Sequence, residues 1–194
     1  MAEVEVPVES VEEAADKAFA RRVALTTAVY AVVLALTALG GNNATKEMLL
    51  AQQQASNQWA YYQAKAQREH TYKIESMRLD AELIDRGPSM APDARARYED
   101  LRKRFAEEEH RYQTEKEDIR RQAEAHERER DLNKAKDPNF DFSETLLQVA
   151  IVVASVAILS GSRPLYGISM VFAVTGAFLC LNGYFLLAKL PGLH

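Results

Sequence analysis

The sequence predicts an all-α membrane protein: three transmembrane helices, with a long antiparallel helical (coiled-coil-like) hairpin outside the bilayer between the first and second spans. Three observations carry this. Apolar residues collect at the two ends of the 194-residue chain, and charges fill the middle. The uncharged run Val23–Leu39 has 17 residues and Leu165–Ala188 has 24, against the ~20 that cross a ~30 Å hydrocarbon core. The charged middle is almost free of Gly and Pro until Gly87-Pro88, and Glu, Lys, Arg, Gln and Ala, all good helix formers, dominate it.

The chain opens with residues 1–20, an acidic tail leading into a short amphipathic helix. Ser10 with Glu13 has the spacing of a capping box, and Val11, Ala14, Ala15, Ala18 and Phe19 form an apolar face. The first transmembrane helix follows at 21–41, with Arg21 and Arg22 able to snorkel to the interface. A cleaved signal peptide fits less well, because the preceding tail is long and acidic. The extramembrane region is 42–137, with its turn near 85–92. The second span is 138–162, opened by Asp141 and Glu144 as a second capping box. The third is 163–190, with Pro164 in the first turn, where its missing N–H is harmless.

Each span carries small residues at alternating four- and three-residue steps. They are Ala24, Ala28, Ala31, Ala35 and Ala38; then Ala150, Ala154, Ala157 and Gly161; then Ser169, Ala173, Gly176, Cys180 and Gly183. Such a stripe lies on one helix face, and in lipid close packing through small residues drives association. Asn182 and Gln148 are the polar exceptions, expected to bond across helices.

Within the middle, helix A is expected at 43–86 and helix B at 92–136. At 1.5 Å per residue each arm is roughly 65 Å long. Helix A has an apolar stripe at Met48, Ala51, Ala55, Trp59, Tyr62, Ala66, His70, Ile74, Met77, Ala81 and Ile84, ten steps over 36 residues. Folding about residue 89 sets Ile84 against Ala94, Met77 against Leu101, Ile74 against Phe105, Ala66 against Tyr112, Trp59 against Ile119 and Ala55 against Ala123. Trp59, Tyr61, Tyr62, Tyr72 and Leu79 cannot all face one narrow seam, so some are left for other contacts. Helix B, with 13 Lys and Arg and 14 Asp and Glu between Asp93 and Asp137, reads as a solvated face laced with i,i+4 pairs.

The same residues exclude much chemistry. A net charge of −4 argues against nucleic acid as a partner. The single cysteine, Cys180, excludes an internal disulfide and reads as a packing residue. No Asp, Glu, Lys, Arg or His lies within the apolar runs 23–39, 145–160 and 165–188, which argues against a proton-coupled transporter and removes the usual haem ligand. Gly40-Gly41 leads to Asn42-Asn43, not to a phosphate loop. Glu107 with His110 is a lone i,i+3 pair, where a di-iron bundle uses two pairs and two further glutamates. Catalytic, cofactor and metal residues are therefore expected to be none, with no cofactor and no evident small-molecule substrate.

The stretch from Asn42 through MLLAQQQASNQWAYYQAKAQREH (48–70) resembles the bacterial membrane family known as domain of unknown function 4337. The Trp59-Ala60-Tyr61-Tyr62 core carries the resemblance. It implies this architecture and a bacterial membrane setting, and no activity. The crowding of these residues just beyond the first span marks Gln54, Asn57, Gln58, Trp59, Tyr61, Tyr62 and Lys65 as a candidate protein-contact patch. Lys17, Arg21, Arg22 and Arg163 place the N-terminus in the cytoplasm and the hairpin in the periplasm of an inner-membrane protein.

The expected function is that of a non-enzymatic structural protein whose partners are the lipid bilayer and further copies, assembled through the small-residue stripes and the hairpin. An accessory subunit of a larger respiratory or photosynthetic complex is the second expectation. A pore lined by Thr26, Thr37, Ser155 and Thr175 is the third.

Overall fold

A computed structural model describes residues 8–188, and for 8–12 and 14 the backbone alone. The acidic stretch 1–7, the Val11 and Ala14 side chains and the end of the third span at 189–190 lie outside the described residues. The described chain is all helix: α1 (Val8–Arg86), a 3-10 turn at Gly87–Ser89, α2 (Pro92–Ser160) and α3 (Arg163–Phe185). Each of the three long helices contains a stretch long and apolar enough to cross a membrane.

The turn falls where Gly87, Pro88 and Pro92 place it. Pro88 sets the 3-10 turn, and Pro92 opens α2 at a first-turn position that needs no N–H. Two capping expectations are corrected. α1 begins at Val8, so Ser10 lies inside its first turn. α2 runs unbroken through Asp141, so no helix begins there for Asp141 and Glu144 to cap. Pro138 sits within α2, where it removes the N–H that the Lys134 carbonyl would accept. Likewise α1 passes through Gly40-Gly41-Asn42-Asn43 without a break.

The chain divides into two compact units, Met1–Met48 with Asp131–His194, and Leu49–Arg130. In the first, Leu147 and Ala150 of α2 and Ala173 of α3 form the core, with Tyr30, Val33 and Leu34 of α1 and Phe172 packed on it. The inward residues of α1 are Val23, Tyr30, Leu34, Thr37, Gly40 and Ala44. They recur close to every 3.5 residues, the period that keeps one face on its neighbours.

In the second unit, contacts descend α2 as they climb α1. Gln52 meets Arg130 at 3.0 Å, Trp59 meets Glu127 at 3.0 Å, Lys65 meets Glu115 at 2.5 Å, and Asp80 meets Arg102. Ala51, Ala55, Leu79, Tyr112, Ile119 and Ala123 are buried there. The distal half of the expected seam is corrected. His70, Ile74, Met77, Ala81 and Ile84 are all exposed, and Ile84 is 80% so. Tyr72 and Leu79 turn inward instead. The reason is periodicity. The inward residues Ala55, Trp59, Tyr62, Ala66, Glu69, Tyr72, Ser76, Leu79 and Leu83 repeat every 3.5 residues, and a 3.6-residue stripe drifts about 20° per heptad away from such a seam.

Candidate functional site

The expected contact residues are divided by the structure. Trp59, Tyr62 and Lys65 are half-buried, and Trp59 and Lys65 reach α2. The Trp59 indole N–H donates to Glu127 Oε1 at 3.0 Å, and its ring meets Tyr62 edge-on at 5.5 Å. Lys65 donates to Glu115 and lies 5.0 Å from the Tyr112 ring centre and 5.3 Å from that of Tyr61. Gln54, Asn57 and Tyr61 are exposed, and Gln58 is half-buried beside them. Their i, i+3, i+4, i+7 spacing makes one outer face of α1, so the patch of seven residues is an inner and an outer set.

Beside Lys65 sits a charged cluster that the sequence reading did not single out. Tyr72 stacks on Tyr112 at 5.6 Å, and the buried Tyr112 hydroxyl accepts from Arg111 Nη2 at 3.2 Å and Arg68 Nη1 at 3.4 Å. These guanidiniums, Arg68 foremost, hold the Tyr112 hydroxyl below the usual phenol range. The hydrogen bond from Lys65 holds the Glu115 carboxyl below its usual range, and Glu115 in turn holds Lys65 above the usual lysine range. Lys116 is held up in the same way by its bond to Glu69.

In the first unit the functional geometry is a junction around Phe140. A Cβ built on Gly40 would lie 2.5 Å from Phe140 Cε1, one on Gly183 2.8 Å from the same atom, and one on Gly41 3.2 Å from Phe140 Cβ. A side chain at Gly40 or Gly183 would push against the ring that α2 sets between α1 and α3 here. Tyr184 closes the junction edge-on to Phe140 at 5.1 Å and donates to the Leu36 carbonyl at 2.9 Å. A cavity of about 200 Å³ lies beside it, lined by Asn43, Glu47, Asn133 and Lys136 among others.

Polar bonds stitch the same helices. Ser143 donates to the Gly176 carbonyl at 2.7 Å, and Ser169 to the Ala150 carbonyl at 2.8 Å. Thr37 Oγ1 is 3.3 Å from Ser143 Oγ and 2.9 Å from the Val33 carbonyl, and its one proton serves either. Asn182 donates to Asn139 Oδ1 at 2.7 Å and accepts the Ala188 N–H at 2.8 Å. Gln148 bonds Glu144 on its own helix at 3.1 Å, not a neighbouring helix as expected. Of the residues expected to line a pore, Thr26, Ser155 and Thr175 donate to carbonyls of their own helices, and Thr37 is buried.

The three small-residue stripes have different fates. Ala150, Ala154 and Ala157 are fully buried, Gly161 lies exposed past the end of α2, and Ser169, Ala173, Gly176, Cys180 and Gly183 are buried. On α1, Ala38 is half-buried, and Ala24, Ala28, Ala31 and Ala35 are exposed. They stand one residue, or about 100°, from the inward positions Val23, Thr27, Tyr30 and Leu34. Among the described residues no three His, Cys, Asp or Glu side chains are placed to hold a metal.

The described residues are thus all-helical, with three helices long and apolar enough to cross a membrane and a glycine-lined junction in the first unit. The chain belongs to the family described as a domain of unknown function (DUF4337), whose model matches residues 19–186. No curated protein and no solved structure matches it.

Proposed function

We propose that this chain is a multi-pass bacterial inner-membrane protein, non-enzymatic and structural, that assembles with further copies of itself. α1 and α2 form an antiparallel hairpin outside the bilayer over 42–137, and the N-terminus is cytoplasmic. The observation that carries the reading is the unequal use of the small-residue stripes. Those of α2 and α3 are consumed inside the chain, whereas Ala24, Ala28, Ala31 and Ala35 of α1 stay open. In lipid, an open row of alanines allows the close backbone approach that drives helix association. The exposed Ile74, Met77 and Ile84 add a second apolar row on the hairpin. Assembly is thus assigned to α1 alone among the spans.

Disulfide cross-linking tests this. With Cys180 replaced by Ser, single cysteines at Ala28, Ala31 or Ala35 are expected to give oxidised dimers in native membranes. Cysteines at Ala150 and Ala154 are not. Equal dimer yields at all five positions, or none at the α1 positions, would overturn the assignment.

A further inference from the structure

At the other end of the apolar segments of the first unit lies a second groove, of about 430 Å³, lined by Ala15, Ala18, Phe19 and Arg22 of α1 and Arg163 and Tyr166 of α3. The α1 residues follow i, i+3, i+4, i+7 and so share one face. Phe19 and Tyr166 meet edge-on at 5.9 Å, and the small Ala15 and Ala18 leave the space above them open. Arg22 and Arg163 are both exposed, and among the described residues neither is ion-paired. In the second unit Arg78, Arg95, Arg102, Arg104, Arg111 and Arg120 meet carboxylates, as Arg22 and Arg163, among the described residues, do not.

The groove stands where charge ends on both helices. Beyond Arg22 no charged residue occurs until Lys46, and beyond Arg163 none until Lys189. Exposed apolar side chains follow directly, Leu25 and Val29 on α1, Ile168 and Val171 on α3. Two guanidiniums with several N–H donors each match the non-bridging oxygens of a phosphodiester. Aromatic rings belong at the headgroup level of a bilayer, and apolar flanks beside them suit acyl chains.

We propose that this groove binds the headgroup phosphate of an anionic phospholipid, held between Arg22 and Arg163 with its tails along the flanks of α1 and α3. This rests on the reading that these helices cross a membrane. A free phosphate could use the same guanidiniums but would leave the apolar flanks without a partner, so the lipid is the occupant the surface fits.

The test uses the full chain in mixed-lipid vesicles, with gently solubilised particles weighed by native mass spectrometry. Phosphatidylglycerol and phosphatidylcholine with matched acyl chains are the probes. The wild type is expected to retain phosphatidylglycerol in preference. Each arginine contributes about fivefold, so R22Q/R163Q loses roughly 25-fold of that preference. R21Q, altered beside the groove, keeps it, and R163Q alone is intermediate. Equal retention of the two lipids, or an unchanged preference in R22Q/R163Q, would overturn the site. Displacement of the lipid by millimolar inorganic phosphate would assign the groove to a free anion and overturn the lipid as occupant. Alkaline carbonate separates the two readings. A chain that it strips from the vesicles refutes the spanning reading together with the site. A chain that stays in the vesicles without lipid preference refutes the site alone.

Discussion

Gly40→Ala should cost less when Phe140 is removed. A Cβ at Gly40 would stand 2.5 Å from Phe140 Cε1, 2.8 Å from its Cζ and 2.8 Å from the Tyr184 hydroxyl. The ring must move, and overpacking of this kind costs about 1–3 kcal/mol. Against that, alanine gains about 1 kcal/mol over glycine inside a helix. Gly40→Ala alone is therefore expected to be neutral to about 2 kcal/mol destabilising. Phe140→Ala opens a cavity at a site only 3% exposed and is expected to cost about 3 kcal/mol or more. In that background the two ring contacts are gone and the one to the Tyr184 hydroxyl, at 2.8 Å, remains, so Gly40→Ala is expected to fall from its full overpacking cost toward neutral. The coupling between the two changes is then the ring's share of that overpacking cost, up to about 3 kcal/mol. Cys180, buried on α3, supplies the assay, because its labelling by a thiol reagent requires the helices to open. Labelling rates of the wild type, both single variants and the double variant complete the cycle. Additive effects, with a coupling below about 0.5 kcal/mol, would refute the glycine-lined junction.

Three further outcomes follow from the second unit. Leu79→Ala should cost about 2–3 kcal/mol in a urea melt followed by circular dichroism, whereas Met77→Ala stays within about 0.5 kcal/mol; the reverse order would restore the stripe through Met77. Trp59→Phe removes the N–H bond to Glu127 and keeps the ring, so a loss of about 1 kcal/mol is expected in the same melt, and no loss would deny that bond a role. The Lys65–Glu115 pair sets a pH window. Glu115 is held low when folded, so its contribution is present above the ordinary carboxylate range and is lost as pH falls through the folded value. Lys65 is held high, so its contribution is present below the ordinary lysine range and is lost as pH rises through the folded value. Melting of Glu115→Gln should be flatter than wild type at both ends of this range, and identical profiles would discount the pair.

The break between α1 and α2 was legible because Gly87, Pro88 and Pro92 act locally, through fixed φ and missing N–H groups. So were the three apolar segments, which depend on composition over some twenty residues. The seam beyond Ala66 was not, because choosing between Met77 and Leu79 requires a period known to a tenth of a residue. The junction was also hidden. Phe140 follows Asp-Pro-Asn, a run that reads as a boundary, and only its match to Gly40, Gly41 and Gly183 reveals a packing site. The candidate patch was found as residues but not as faces, since Trp59 and Tyr62 look as suited to an outer contact as Tyr61 does. Which small-residue stripe stays open depends on how three helices choose partners, and no single stripe carries that information.

The mass of the particle gently extracted from its native membrane tests self-assembly. Multiples of the 21.8 kDa chain, reduced to single chains when Ala28 and Ala31 are both changed to Leu, are the expected result. A particle of one chain alone would contradict the account. Stoichiometric recovery with other proteins would contradict it as well, and would make the chain an accessory subunit of their complex.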